Sequence, residues 1–207
     1  MANPPEPASV HGIILAAGQS KRLGRPKQLL DICGESVIRR VAKTALRAQL
    51  ASVLVVTGNA GDQIERELEP LDVQIVPNPD FATGQASSLR AGLKALPPTT
   101  DAAMFLLGDQ PGISSSVIDA LITTYERARP TIVQARYRGQ PGHPVLFNRS
   151  LVAELSEVSG DQGARDVIRR HIADVAYVEL DLEVPLDIDT EADYQAVLRH
   201  FPERQAK

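Results

Sequence analysis

The alternation of short apolar runs with amphipathic segments constrains the fold of this chain more than any other feature. Four runs are nearly all apolar: Gly12–Ala17, Ser52–Thr57, Val73–Val76 and Ala102–Leu107. Such runs are typical of strands buried on both faces of a sheet. Segments with helical spacing of apolar residues follow them: Ser36–Gln49, Gly61–Leu68, Gly84–Leu96 and Ser114–Arg127. This order predicts an α/β fold with a three-layer, mostly parallel sheet and right-handed, Rossmann-like crossovers.

The rhythm changes in the last third of the chain. Two strand-like runs, Thr131–Tyr137 and Pro144–Phe147, are separated only by a glycine-containing turn, which predicts a small antiparallel insertion. The segments that follow predict two short helices, Leu151–Ser156 and Gly163–His171, and then a strand, Val175–Leu180. They also predict a last short strand that leads out through VPLDIDT, and a closing helix, Glu191–Arg199. We expect a single domain over residues 10–200, with flexible tails at 1–9 and 201–207.

Composition excludes several classes of protein. The 207 residues are 43% hydrophobic and 23% charged, as in ordinary globular proteins, and the net charge of −4 argues against broad nucleic-acid binding. Cys33 is the single cysteine, so an internal disulfide and a CxxC metal site are excluded. No apolar run approaches the roughly 18–20 residues of a membrane span, and the first residues do not form a signal peptide. We therefore predict a cytoplasmic protein.

The loop after the first strand, AAGQSKRLGRPK, combines glycines with positive charge. Gly18 and Gly24 allow close approach of the backbone to a ligand, and Arg22 and Lys27 add charge suited to phosphate. The loop matches neither G-x-x-x-x-G-K-[ST] nor G-x-G-x-x-G. We interpret it as an anion site, because connections at this position are usually about 2–6 residues long and this one is longer. The alternative is a solvated surface loop.

Two aspartates follow apolar segments at places where ligands bind in open α/β sheets. Asp109 comes directly after the fourth run, and Asp189 belongs to DIDT, with Asp187 two residues earlier. Mg²⁺ takes one or two carboxylates and completes its shell with waters and substrate phosphates. The aspartates together with the basic loop therefore favour a Mg²⁺–nucleotide site. The alternative for Asp189 is helix capping, for which Thr190 is better placed.

Three further segments leave alternatives open. Ser87 and Ser88 of GQASS could cap a helix or contact a nucleotide, and the former is the default interpretation. His143 follows a glycine turn, where a lone histidine is more often structural than catalytic. Asp161 is placed to cap a helix that has Arg165 one turn in. No nucleophile motif is present, and attack by an ionised phosphate on a nucleotide needs only alignment and charge neutralisation.

Six segments together resemble a known family. In chain order they are LAAGQSKRLGRPKQLL, GQASSLRAGL, LLGDQPGI, GHPVLF, GDQGAR and DIDTEADY. The first resembles the signature of nucleotidyltransferases with the glycosyltransferase-A-like fold, and the full set resembles their molybdenum-cofactor cytidylyltransferase branch. The resemblance covers about residues 12–198. It implies Mg²⁺-dependent transfer of CMP from CTP to molybdopterin phosphate, with release of pyrophosphate.

The resemblance also implies roles for individual residues. It implies backbone contacts with base and ribose from four residues: Leu15, Ala16, Ala17 and Gly18. It implies that Ser20, Arg22 and Lys27 bind the triphosphate, with Lys27 at the α-phosphate, and that Gln85 and Ser88 help to select the base. It implies that Asp109 and Asp189 bind Mg²⁺. It also implies that the pterin acceptor is faced by His143, Asp161 and Arg165. The residues implied in catalysis itself are Arg22, Lys27 and Asp109.

The resemblance leaves alternatives for the nucleotide and for the acceptor. Relatives that transfer GMP often carry AGG in place of Ala16–Gly18 and DK in place of Pro26–Lys27, so this chain favours the cytidylyl branch. Transfer from GTP, or to another phosphorylated acceptor, is the second hypothesis. The third hypothesis is a chaperone that delivers the cofactor to a molybdenum hydroxylase. An active enzyme could also make transient contact with such a hydroxylase.

Overall fold

The computed structural model describes residues 7–160 and 163–201. Its seven strands are β1 Val10–Leu15, β2 Ser52–Thr57, β3 Gln74–Pro77, β4 Ala102–Leu107, β5 Ile132–Tyr137, β6 Gln140–Asn148 and β7 Val175–Leu180. Its α-helices are α1 Val37–Leu46, α2 Gly61–Leu68, α3 Gln85–Lys94, α4 Ser115–Ala128, α5 Val152–Ser156, α6 Arg165–Arg170 and α7 Glu191–His200. No helix in the described ranges is long and apolar enough to span a membrane.

The strands form one mixed sheet in the order β3-β2-β1-β4-β6-β5-β7. The neighbours among β1 to β4 pair in parallel, as do β5 and β7, whereas β6 is antiparallel to both β4 and β5. The predicted mostly parallel α/β sheet with an antiparallel insertion is therefore confirmed. The insertion is larger than predicted, because β6 spans Gln140–Asn148 and lies inside the sheet rather than at its edge.

Two apolar cores lie on opposite faces of the sheet and give the fold its three layers. One core packs α1, α2 and α4 on one face, with side chains such as Ile38, Leu68 and Leu121. The other packs α3, α5 and α6 on the opposite face, with Leu89 and Leu155 among its members. Alternate residues of β1, such as Ile13 and Ile14, enter opposite cores, as the two-residue period of a strand requires.

A third, smaller core joins the beginning and the end of the chain. Leu30 and Ile32, which follow the basic loop, pack against Ile188 and against Val197 of α7. Thr190 begins α7 with a capping box, in which it and Asp193 exchange hydrogen bonds, so the predicted cap is confirmed. This core fixes the DIDT segment beside the basic loop, although the two are more than 150 residues apart.

One local prediction is wrong, because the last short strand is absent: residues 181–190 form no strand. Pro185 has no N–H to donate to a neighbouring strand. The segment instead crosses the carboxyl edge of the sheet, where the Ile188 N–H donates to the Asp109 carbonyl. The predicted limits of the domain stay a prediction; Ala8, just before them, is buried, and its N–H donates to Glu126.

Candidate active site

The basic loop folds into a compact turn above the end of β1. Ser20 adopts a positive φ of 51°, and its carbonyl accepts hydrogen bonds from the N–H groups of Leu23 and Gly24. The Ser20 hydroxyl also accepts a bond of 3.1 Å from the Lys27 N–H. These bonds close the loop and direct the Lys27 side chain back toward the sheet edge.

Lys27 lies between the two predicted metal-binding aspartates. Its ammonium nitrogen contacts Asp109 Oδ2 and lies 2.8 Å from Asp189 Oδ1. The Lys27 side chain is only 12% exposed and that of Asp109 16%, so this ion pair is largely shielded from water. Three charged groups from three distant segments therefore meet at one point.

The charges of this cluster shift the pKa values of its members. Burial alone would lower the pKa of Lys27, but the charge of Asp109 and hydrogen bonds to both aspartates outweigh burial and raise it. The hydrogen bond from Lys27 lowers the pKa of Asp189, and the nearby charge of Arg22 adds to the effect. Lys27 is thus held as a cation and Asp189 as an anion at neutral pH.

A cleft of about 430 Å³ opens beside this cluster. Arg22 lies at its rim, where Nη2 is 2.5 Å from Asp189 Oδ2. Ten of the eleven predicted nucleotide or metal residues line the cleft: Leu15, Ala17, Gly18, Ser20, Arg22, Lys27, Gln85, Ser88, Asp109 and Asp189. The remaining member of the set, Ala16, does not line it. Ala16 is fully buried, and its N–H donates to the Val56 carbonyl of β2.

The close approach of two strand ends builds the floor of the cleft. The Gly108 N–H donates to the Leu15 carbonyl at 3.0 Å. A Cβ at position 108 would lie 3.0 Å from that same carbonyl oxygen and 3.1 Å from Ala16 Cβ. A larger residue would therefore push β4 away from β1, and Asp109 would move with it.

The start of α3 forms the opposite wall. Ser88 is 6% exposed, and its hydroxyl accepts a hydrogen bond from Asn78, which also bonds Ser87. Ser87 in turn donates to the Gly84 carbonyl. Gln85 is exposed and lies against Gly163, where an added Cβ would be 2.9 Å from Gln85 Oε1. The helix start is thus fixed by Asn78, a residue that the sequence patterns did not single out.

Two of the predicted acceptor residues, His143 and Arg165, lie outside the cleft lining. His143 is near the beginning of β6, and its Nδ1 is 3.5 Å from the Phe105 carbonyl of β4. Burial lowers its pKa, Asp109 opposes that shift and Arg165 adds to it, so His143 is neutral at neutral pH. Arg165 is exposed at the first position of α6. Asp161 lies outside the described residues.

Sequence reasoning missed two buried glutamines at this edge. Gln28 lines the cleft directly after Lys27, and Gln110 follows Asp109 and donates to Asp187 at 2.7 Å. Both are buried, with one oxygen that accepts no hydrogen bond from the described residues. The only signal in the sequence was a polar residue beside a charged one, which ordinary surface turns also show.

The donor set suits a hard cation. Asp109 and Asp189 point their carboxylates at one position, taken here by the Lys27 ammonium. Two carboxylates are the usual protein contribution to a Mg²⁺ site, which needs waters and substrate phosphates for the rest. The described residues include no group of three or more His, Cys, Asp or Glu side chains arranged as a metal site. A pair of aspartates therefore fits a cation that arrives together with a phosphate ligand.

Residues 12–175 match the MobA-like NTP transferase domain family, and the chain belongs to that family. Nicotine blue oxidoreductase of Paenarthrobacter nicotinovorans is 36% identical over 78% of this chain and 82% of its own length. Molybdenum cofactor cytidylyltransferase of Escherichia coli is 26% identical over 95% of this chain and 99% of its own. Two solved structures of Rv0371c from Mycobacterium tuberculosis are similar to this chain. One has a TM-score of 0.85 and 30% identity, and covers 93% of this chain and 99% of its own. The other, a complex with manganese, has a TM-score of 0.79 and 28% identity, with the same coverage of both chains.

These findings establish the class of the protein. It is a nucleotidyltransferase with a glycosyltransferase-A-like fold, as the resemblance implied. The manganese complex of a structural relative agrees with divalent-metal dependence in the family.

Proposed function

We propose that this protein transfers CMP from CTP to the phosphate of molybdopterin, with Mg²⁺ as the cofactor and pyrophosphate as the second product. The observation that carries the proposal is the Lys27 ammonium between Asp109 and Asp189, inside the cleft formed by the glycine-containing basic loop. Cation, carboxylates and flexible loop are the parts that a metal–triphosphate complex requires.

The reaction needs alignment more than acid–base chemistry. An oxygen of the acceptor phosphate, already ionised, forms a bond to the α-phosphorus while the bond from that phosphorus to the β-phosphate oxygen breaks. Lys27 and Arg22 bind the triphosphate and neutralise the charge that builds up. Asp109 and Asp189 would hold Mg²⁺, which supplies further neutralisation when bound. Lys27 exchanges its carboxylate partners for phosphate oxygens as the nucleotide enters.

The remaining cleft residues position the nucleoside. Leu15, Ala17 and Gly18 present backbone to base and ribose; Ala16 is buried outside the cleft lining, so we assign it no contact. Ser20 keeps the loop closed. Gln85 and Ser88 contact the base from the start of α3. His143, Asp161 and Arg165 would face the pterin.

Cytidylyl transfer is favoured by AAG at residues 16–18 and by Pro26 before Lys27. The Escherichia coli relative named molybdenum cofactor cytidylyltransferase matches almost the whole chain. The relative named an oxidoreductase has the higher identity. Against oxidoreductase function in this chain, no G-x-G-x-x-G motif for a dinucleotide follows β1.

A nucleotide-dependence assay tests the proposal. The protein is incubated with Mg²⁺, molybdopterin and each of the four ribonucleoside triphosphates, and both pyrophosphate and the dinucleotide product are measured. We expect turnover with CTP above all others. Turnover with GTP alone would overturn the nucleotide assignment. Absence of turnover with every nucleotide, together with capture of a molybdenum hydroxylase, would favour the delivery chaperone.

A further inference from the structure

Gln28 is a buried polar residue whose hydrogen bonds are missing from the described structure. It belongs to the 3-10 turn Lys27–Leu29 and is 2% exposed. Its Oε1 is buried and accepts no hydrogen bond, and its Nε2 donates none to any described residue. Buried side-chain amides in folded proteins are nearly always bonded, so an unpaired one requires an explanation.

The position of Gln28 supplies that explanation. The residue lines the cleft between Gly18 and Lys27. A Cβ added at Gly18 would lie 3.7 Å from Gln28 Nε2, so the amide group is beside the backbone turn that receives the nucleotide. Oε1 is fully buried, whereas Nε2, which also has no partner among the described residues, is not. The unbonded donor is therefore accessible at the cleft, whereas the oxygen is enclosed.

Packing alone does not account for an amide at this position. The neighbours Leu29 and Leu30 are packed in apolar cores, and a methionine of similar length would fill the same space without an unpaired oxygen. An unpaired buried amide lowers stability. Residues that lower stability in a folded protein are found mainly at functional sites.

We propose that Gln28 is a nucleotide-positioning residue, whose amide N–H donates to an oxygen of the bound nucleotide between the Gly18 turn and Lys27. The proposal rests on the function proposed above, because it requires that a nucleoside triphosphate occupies this cleft. It goes beyond that function by assigning a contact to a residue that lies in the first of the six segments but to which the resemblance assigned no role.

The substitution Gln28→Met separates a binding role from a structural one. Affinity for CTP with Mg²⁺ is measured by titration calorimetry without acceptor, and the midpoint of thermal unfolding is measured on the free protein. We expect about tenfold weaker CTP binding, the scale of one lost hydrogen bond to a charged ligand. We expect the unfolding midpoint to stay unchanged or to rise, because an unpaired buried amide has been removed.

A matched control is Gln134→Met. Gln134 is also buried, at 8% exposure, but its Nε2 donates to the Gly142 carbonyl at 3.3 Å, and it lies outside the cleft lining. This variant should show the opposite pattern, with a lower unfolding midpoint and unchanged CTP affinity. A second variant, Gln28→Glu, keeps the size of the side chain but replaces the donor by an anion, and should weaken CTP binding further.

The outcomes distinguish this proposal from the proposed function. If the wild-type protein binds CTP and Gln28→Met binds it equally well, the role of Gln28 is overturned while the function stands. A lower unfolding midpoint in Gln28→Met with unchanged affinity would show a structural role only. Should Gln28→Met fail to fold, undiminished CTP binding by Gln28→Glu would overturn the proposal. If wild-type protein binds no nucleoside triphosphate, the proposed function fails first.

Discussion

The two halves of the molecule differ in how their predicted site residues come together. In the first half, the loops after β1 and β4 and the start of α3 supply nine predicted residues that line one cleft. In the second half, His143 and Arg165 lie outside that lining, and of the predicted residues that the structure describes there, Asp189 alone joins it. The difference follows from topology. Parallel strands bring all their carboxyl ends to one edge, whereas the antiparallel β6 brings its beginning there.

In line with the proposed function, we propose that the first half, the nucleotide half, binds CTP and that the second, the acceptor half, binds the acceptor. The nucleotide half has an ion-paired, partly buried centre in which Lys27 pairs with two carboxylates. The acceptor half offers an exposed arginine and a neutral histidine. We therefore expect substitutions in the first half to affect the transfer step, and those in the second to affect acceptor binding.

The largest effect is expected for Asp109→Asn, which removes a charge from the centre of the nucleotide half. Turnover should fall by about 10³-fold, because one carboxylate for the metal is lost together with the partner of Lys27. Steady-state release of pyrophosphate from CTP measures it. Asp181→Asn is the control, since Asp181 is 95% exposed and pairs only with Arg138 among the described residues. Wild-type rates in Asp109→Asn would remove Asp109 from the site.

Lys27→Met should lower kcat/KM by about 10²–10³-fold, equivalent to roughly 2.7–4 kcal/mol of transition-state stabilisation. The loss should appear in kcat, and an effect confined to KM would contradict the role of Lys27 in the transfer step. The same variant leaves Asp109 and Asp189 without their shared cation. We therefore expect nucleotide-free Lys27→Met to bind Mn²⁺ more tightly than wild type, which electron paramagnetic resonance can measure. Equal or weaker Mn²⁺ binding would argue against a metal at this pair.

Arg165→Ala tests the acceptor half. Its exposed position suggests a single contact with an anionic acceptor, worth about tenfold in affinity. We expect a higher KM for molybdopterin with an unchanged KM for CTP. Arg22→Ala should give the reverse, because Arg22 lies at the rim of the nucleotide cleft. Equal effects of either substitution on both substrates would contradict the division between the halves.

The sequence predicted the first half well because its signals are local. The apolar runs at β1, β2 and β4 define parallel strands, and the motifs lie directly after two of them. It predicted the second half less well, since the segment before Asp189 forms no strand. The packing of Ile188 on Leu30 and Ile32 places this segment, and that contact joins distant parts of the chain. Gln28 was missed for the same reason, because only the folded structure shows that its amide is buried and unpaired.

The smallest effect concerns His143 and pH. Burial depresses the native pKa of His143, with Asp109 and the Phe105 carbonyl opposing and Arg165 adding, whereas in the unfolded chain the pKa is about 6.5. As pH falls below about 6.5, the unfolded chain therefore binds a proton that the folded chain does not. The free energy of unfolding should decrease by up to about 1.4 kcal/mol per pH unit for this residue.

His11 is buried and its pKa is shifted in the same direction, so the wild-type slope contains both histidines. His143→Asn should make that slope shallower between pH 6.5 and the native pKa, in urea unfolding at a series of pH values. An unchanged slope in His143→Asn would mean that His143 is free to protonate in the folded protein, as a solvent-facing acceptor ligand would be.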